Sequence, residues 1–377
     1  MKNKIGLSII ILLSALAGVS PRAGAPAGYR TDAQGWREAE PGYRFSFPRD
    51  HAAHEPYRIE WWYYTGNLQS KAGRRFGFQL TFFRTGVSLE PSSESAWAVR
   101  DIYMAHFAIS DIERESFHAF EKLNRGGIGW AGADSASYRV WNEDWEARLE
   151  GDDHLLGARD GGYGIELRLT PAKPVVINGE NGISQKGLTV GNASHYYSIT
   201  RFSSSGKLTV GGEEFEVTGQ TWMDHEFGTS FLENGQVGWD WFSIQLDDGR
   251  DLMLFQLRRS DGSIDSSSSG TLVDESGRAV HIPAPEFSLI PGRAWRSGAS
   301  GATYPTEWTI DLPPYGLRLK ARAAFDNQEL RTPESTGVTY WEGSISVEGT
   351  EGGRNISGRG YLEMTGYSGQ NMGALFQ

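Results

Sequence analysis

The chain contains no cysteine. Neither a disulfide framework nor a thiolate metal site can stabilise it, so its 377 residues must hold together by core burial. Past the N-terminus there is no second long apolar run, and no membrane span is expected in the mature chain. Long stretches of 3.6-residue periodicity with caps are missing too, which argues against a helical fold. Basic residues are the minority: 36 Lys and Arg stand against 47 Asp and Glu, a net charge of −11. An acidic chain of this kind is not expected to bind nucleic acid.

Several standard motifs are absent. There is no G-x-S-x-G nucleophile elbow and no P-loop. His54-Glu55 lacks the second histidine of a zincin. Gly127, Gly129 and Gly132 have the spacing of a dinucleotide-binding loop, but a short polar segment and then a strand follow where that motif requires a helix.

What is present begins with an N-terminal leader. Lys2 and Lys4 precede an apolar run from Ile5 to Val19, and Ala23, Gly24 and Ala25 follow. This is the layout of a secretory signal peptide, assigned to residues 1–25, with a periplasmic or secreted protein as the expectation. Loss of Lys2, Lys4 and Arg22 takes the net charge from −11 to −14. The remainder is rich in glycine (48 residues) and aromatics (12%), which together signal many short strands joined by tight turns. Phe76, Phe78, Leu80 and Phe82 alternate with Gly77, Gln79 and Thr81, a period of two. Asp248-Gly249 between two alternating runs predicts a hairpin. More than a dozen such strands predict an all-β protein of barrels or sandwiches.

Three clusters could carry chemistry. In the first, Glu60 sits in an aromatic strand, sharing a face with Arg58, Trp62 and Tyr64, while Tyr57, Ile59, Trp61 and Tyr63 take the other. A carboxylate among rings needs a partner, and Arg58 is the expected one. The second is Trp222-Met-Asp224-His225-Glu226-Phe227, with both acids on one face and the imidazole on the other. The third is Trp239-Asp240-Trp241-Phe242. Asp240 shares an otherwise apolar face with Phe242, Ile244 and Leu246, where burial would raise its pKa as suits a general acid. His51, His54, His106, His195 and His225 have no spacing that fixes a metal site, and no metal or other cofactor is expected.

At these clusters the chain resembles the secreted lipocalin-like proteins related to carotenoid 1,2-hydratase, known as predicted secreted hydrolases. The matching stretches are Phe47-Pro-Arg-Asp-His51, Glu60-Trp-Trp-Tyr-Tyr-Thr-Gly-Asn-Leu68, Trp222-Met-Asp-His-Glu-Phe-Gly228, Gly238-Trp-Asp-Trp-Phe-Ser-Ile-Gln245 and Gly358-Arg-Gly-Tyr-Leu-Glu-Met-Thr-Gly-Tyr367. The resemblance implies two lipocalin-like antiparallel β-barrels packed together, at residues 45–220 and 221–377, with a ligand cavity between or within them. It also implies hydration of polyene or isoprenoid double bonds, or cyclisation. The histidine and aspartate tied to activity in the hydratases correspond to His225 and Asp240, with Asp224 and Trp241 adjacent. Glu226 departs from the hydratase pattern after the Asp-His pair.

The expected chemistry is protonation of a C=C bond by Asp240 or Asp224. Aromatic faces would shield the cation and His225 would position water, with Glu60 and Glu226 as further acid–base candidates. The expected ligand wall is Trp61, Trp62, Tyr63, Trp222, Trp239 and Trp241, around an apolar small molecule. The competing expectations are hydrolysis of the same class of molecule by carboxylate-activated water, a non-catalytic lipid carrier and a structural envelope protein. Convergence of Glu60, Asp224, His225 and Asp240 on one cavity would favour the enzyme, and their dispersal the carrier.

Overall fold

The computed structural model describes residues 29–369, save 92, 94, 96, 230 and 231. The expected signal peptide lies outside the described residues. Within them the only helices are three single 3₁₀ turns, and none is long and apolar enough to cross a membrane.

The first sheet begins with β1 (Ile59–Ser70), β2 (Arg75–Gly86), β3 (Asp101–Asp111), β4 (Ser116–Arg125), β5 (Ala131–Ala133) and β6 (Arg139–Asn142). It continues with β7 (Trp145–Glu150), β8 (Asp153–Asp160), β9 (Tyr163–Pro171), β10 (Val176–Ile177), β11 (Ser184–Gln185), β12 (Ala193–Val210) and β13 (Glu213–Gly228). Then come β14 (Gln236–Leu246), β15 (Asp251–Arg259), β16 (Ser269–Val273), β17 (Ala279–Pro283), β18 (Ser288–Pro291), β19 (Ala294–Arg296) and β20 (Thr303–Pro305). The last are β21 (Glu307–Leu312), β22 (Leu317–Ala323), β23 (Glu329–Arg331), β24 (Thr339–Glu351) and β25 (Arg354–Met364). β19 and β20 form a separate ribbon, and the other ten strands from β14 onward make the second sheet.

The first sheet runs β4-β3-β2-β1-β13-β12-β9-β8-β7-β6-β5, all antiparallel, with β10 and β11 against β12. Its ends meet where Asn124 Nδ2 donates to Asn142 Oδ1 (2.7 Å) and Asn142 Nδ2 donates to the Tyr103 carbonyl (3.1 Å). The sheet is thus a nearly closed barrel, which removes most of its free edge. The second runs β17-β16-β15-β14-β25-β24-β22-β21-β18 and curls around its own core. The expected two lipocalin-like barrels are present. The boundary expected at 220/221 falls inside β13, which belongs wholly to the first sheet. The Asp248-Gly249 turn joins β14 to β15 as expected, with Gly249 at φ 90°, a conformation that glycine adopts without strain.

Alternation decides what faces where. Trp62, Tyr64, Phe78, Leu80 and Phe82 fill the first barrel, and Phe242, Ile244, Leu246, Trp308 and Trp341 fill the second. The opposite faces of the same strands meet between the barrels, where Tyr63, Tyr196, Trp222, Trp241, Phe255 and Tyr361 form a third apolar cluster. Each such side chain contributes about 1.5–3 kcal/mol when fully buried. Polar contacts fix the docking. Asp251 at the start of β15 pairs with Lys173 (2.7 Å) and Arg201 (2.6 Å) of the first barrel, and Gln245 Nε2 donates to the Thr200 carbonyl (2.7 Å).

Candidate active site between the barrels

The barrels enclose a cavity of about 120 Å³. Trp61 and Tyr63 of β1, Gln79, Thr81 and Phe83 of β2 and His106 of β3 line one wall, with Tyr196, Asp224 and Glu226. The second barrel contributes Trp239, Trp241, Phe255, Leu257, Tyr340 and Glu363. Lys186 is the one Lys or Arg among the described lining residues.

Register builds the first wall. β13 lies between β1 and β12, so Tyr63, Asp224 and Ser198 form one row across the sheet, and Trp61, Glu226 and Tyr196 the next. Asp224 is 3% exposed. It accepts hydrogen bonds from Tyr196 Oη (2.6 Å), Ser198 Oγ (2.5 Å) and Trp222 Nε1 (2.7 Å). Burial pushes its pKa up to about 7 against the pull of those three donors. It can therefore both give and take a proton near neutral pH. Glu226 accepts from the Ser194 hydroxyl and pairs with Lys186 Nζ at 2.9 Å. Across the cavity Trp241 Nε1 donates to Tyr196 Oη (3.3 Å), tying the walls together.

The other predicted residues lie elsewhere. Between Asp224 and Glu226, His225 points into the first barrel. Its Nε2 lies 2.8 Å from Glu60 Oε1 and its Nδ1 2.9 Å from Tyr197 Oη. Glu60 can only accept, so Nε2–H donates and Nδ1 accepts from the tyrosine. Burial lowers the His225 pKa, and the ring is neutral. His54 Nδ1 is 2.7 Å from the same Glu60 oxygen, and its Nε2 is 3.2 Å from Asp50. Burial opposes charge on His54, but these two carboxylates outweigh it and raise its pKa. Burial likewise opposes ionisation of Glu60, but His54, His225 and Arg84 hold it well below the usual carboxylate range.

The expected Arg58–Glu60 pair is not formed. The partner is Arg84, directly opposite Glu60 on β2, with Nε 3.1 Å from Oε2. A cross-strand neighbour sits closer than a residue two places along one strand. Among the described residues, His54, Glu60 and His225 form the one group of donors close enough to hold a metal ion. The Arg84 cation shares the same carboxylate, and both imidazoles hydrogen-bond to it.

Trp62, expected in the ligand wall, is buried inside the first barrel and donates to the His51 carbonyl (2.9 Å). Trp222 sits behind the wall, holding Asp224. Asp240 points into the second barrel with Phe242 and Ile244, as its strand face predicted. There it pairs with Arg258 (3.1 Å) and accepts from Gln256 (2.8 Å) and Tyr367 (3.0 Å). Glu60, Asp224, His225 and Asp240 therefore occupy three compartments, with Asp224 alone in the cavity.

Two acids that the sequence reading passed over adjoin this cavity. Glu363 lines it and accepts from Trp239 Nε1 (3.2 Å). Glu342 is fully buried beside Glu363 and accepts from Tyr63 Oη (2.7 Å). Each is a lone acid in an apolar strand, Tyr340-Trp341-Glu342 and Tyr361-Leu362-Glu363-Met364, the same signal that singled out Glu60.

A double lipocalin-like barrel with an acid-bearing cavity between its halves defines the class of this protein. The AttH-like family model matches residues 38–367, and the chain belongs to that family. A Nitrosomonas europaea protein assigned to AttH is 35% identical, with a TM-score of 0.80 over 88% of this chain and 99% of its own. The crystal structure of kievitone hydratase from Nectria haematococca shares the fold at 15% identity, with a TM-score of 0.67 over 85% of this chain and 92% of that one. In sequence, kievitone hydratase of Fusarium solani subsp. phaseoli is 22% identical over 55% of this chain. Dehydratase asqC of Emericella nidulans is 23% identical over 51%. The chain spans 58% and 55% of the lengths of these two curated relatives.

Proposed function

We propose that this chain is an exported hydratase- or dehydratase-type enzyme, working in the periplasm or outside the cell. Its substrate is an apolar or isoprenoid-like small molecule held in the cavity between the barrels. The single observation that carries the reading is Asp224, a buried carboxyl poised near neutrality on an aromatic wall. The sequence relatives named above are a hydratase and a dehydratase, which supports the same reaction class.

The chemistry follows from the wall. A cation forming at a protonated C=C bond would lie against the faces of Trp61, Trp239 and Trp241, and ring quadrupoles stabilise such charge by about 0.5–2 kcal/mol each. Asp224, ionised, takes the proton of the attacking water; in the reverse direction it returns that proton as the hydroxyl leaves. His225 and Glu60 act through the backbone, bracing the strand that carries Asp224 and Glu226. Asp240 serves the second barrel's core.

The dispersal of the four predicted residues favours one alternative, a carrier that binds the same class of ligand without changing it. Incubation of the purified protein with isoprenoid alkenes and tertiary alcohols, read by mass spectrometry, separates the two. Gain or loss of one water, abolished in Asp224→Asn, supports the enzyme. Co-elution of unchanged ligand supports the carrier and sinks the enzyme.

A further inference from the structure

We infer that Glu363, backed by Glu342 and Tyr63, is the proton donor of the cavity, placed on the wall opposite Asp224. This assignment rests on the hydratase-type reading above and names the acid that the reading lacks. Asp224 is bound at both oxygens by three donors, the pattern of a group held ready to accept. Glu363 receives a single donor at Oε2, from Trp239, and faces the cavity.

The register explains the placement. Trp241, Glu363 and Glu342 stand in one row across β14, β25 and β24. Directly opposite residues on antiparallel strands have Cβ atoms about 4.5–5.5 Å apart, so the two carboxyls are neighbours. Glu342 is wholly buried, with Oε1 accepting from Tyr63 and Oε2 without a hydrogen-bonding partner among the described residues. An ionised carboxylate with an unpaired buried oxygen would be costly, whereas a protonated one carries a hydrogen that can point at its neighbour. The surroundings agree. Burial and the neighbouring Glu363 keep Glu342 neutral, and burial with Asp224 and Glu226 across the cavity brings Glu363 to about 7. Like charges so close cannot all ionise, so near neutrality the second-barrel wall retains protons. Lys186, the one nearby lining cation, is engaged with Glu226.

The step balances. The Glu363 O–H bond breaks as a C–H bond forms from the π pair of the alkene, leaving a cation on the adjacent carbon and a carboxylate on Glu363. Neutral Glu342, next to it in the register, keeps a second negative charge off that wall as the charge develops. Water adds to the cation through its oxygen, and Asp224 takes the water's proton. Transfer of that proton back to Glu363 through solvent restores the site, the net change being addition of one water.

Two measurements test this. Infrared spectra of the wild type should keep a protonated-carboxyl C=O band at alkaline pH, absent in Glu342→Gln. A carboxyl titration near neutrality should vanish in Glu363→Gln yet survive in Asp224→Asn. Persistence of the alkaline band in Glu342→Gln, or of every neutral titration in Glu363→Gln, would overturn the assignment without use of any substrate. With a compound the wild type hydrates, Glu363→Gln should lower kcat by about 100-fold or more at a KM within a few-fold. Glu342→Gln should slow turnover less, and Glu342→Asp should recover part of the loss. Full turnover by Glu363→Gln would overturn the inference and leave the hydratase reading standing. No turnover by the wild type would overturn both.

Discussion

Arg84 Nε lies 3.1 Å from Glu60 Oε2 inside the first barrel, and neither side chain is exposed. The guanidinium also meets Asp101 (2.9 Å) and the carbonyls of His54 (3.0 Å) and Tyr57 (2.7 Å), so every partner of this pair is buried with it. Removing one member takes away one of the other's two buried counter-ions, leaving Arg84 with Asp101 or Glu60 with His54 in a low-dielectric interior. Glu60→Gln and Arg84→Met should each destabilise the first barrel by about 3–5 kcal/mol in urea unfolding. The double variant Glu60→Leu with Arg84→Met should lose clearly less than the sum of the two. Additive losses would show that the pair is not coupled.

The buried histidines make one pH-dependent contribution to stability. Burial lowers His51 and His106 to about 3 and His195 to about 4, so each stays neutral in the folded chain well below the ordinary value of 6.5. The unfolded chain then binds protons that the folded one refuses. Stability is intact above 6.5 and falls as the pH drops toward the folded values. His54 has the opposite sign: its pKa is raised, so its contribution is full below 6.5 and lost as pH rises through the folded value. The neutral rings outnumber it, so the histidines taken together destabilise the fold in acid. Replacing His106 with Gln should remove about 2 kcal/mol of the stability lost between about pH 7 and pH 5. An unchanged loss would mean that His106 is protonated in the folded state.

Period-two alternation carried much of this structure in the sequence. It placed Trp61 and Tyr63 opposite Glu60 and Trp62, set Asp224 and Glu226 against His225, and sent Asp240 inward with Phe242. It could not say which side of each strand encloses the cavity, because both faces of β1, β13 and β14 are buried, one in a barrel and one between barrels. Cross-strand partners were equally invisible. Arg84 lies 24 residues from Glu60 and meets it only through the pairing of β1 with β2. Glu342 and Glu363 carried the same lone-acid signal as Glu60, but their adjacency depends on the register of β24 with β25.

Asp224 and Asp240 should respond oppositely to the same change. Asp224→Asn puts an amide where three donors converge, at a cost of about 1–3 kcal/mol, and should reduce turnover by about 100-fold or more. Asp240→Asn should cost a similar amount of stability, because Arg258, Gln256 and Tyr367 are left with one acceptor oxygen and no negative charge among them. Its turnover per folded molecule should stay within a few-fold of the wild type. Steady-state kinetics beside thermal unfolding separates the two, and a turnover collapse in Asp240→Asn at unchanged stability would return that residue to the chemistry.

The cavity exists because the barrels approach closely beside it, and Gly77 of β2 sets that approach. A Cβ on Gly77 would lie 2.7 Å from Tyr361 Oη and 3.1 Å from Ser344 Cβ, both on the second barrel. The tyrosine's end can shift, but the serine Cβ is fixed to the backbone, so a larger side chain must push the sheets apart. Nearby contacts would stretch with it: Asn67 Nδ2 donates to the Gly360 carbonyl at 3.2 Å, and Ser110 Oγ to Gln328 Oε1 at 2.7 Å. Gly77→Val should destabilise the chain by about 1–3 kcal/mol and weaken binding of any cavity ligand, since Tyr63 and Glu342 would separate together. Gly157→Ala on β8 is the control, because its Cβ would meet nothing within 4 Å. Tryptophan emission from Trp239 and Trp241 during ligand titration reads the binding, and thermal unfolding reads the stability. If Gly77→Val binds as tightly as Gly157→Ala, the cavity does not depend on how closely the barrels dock.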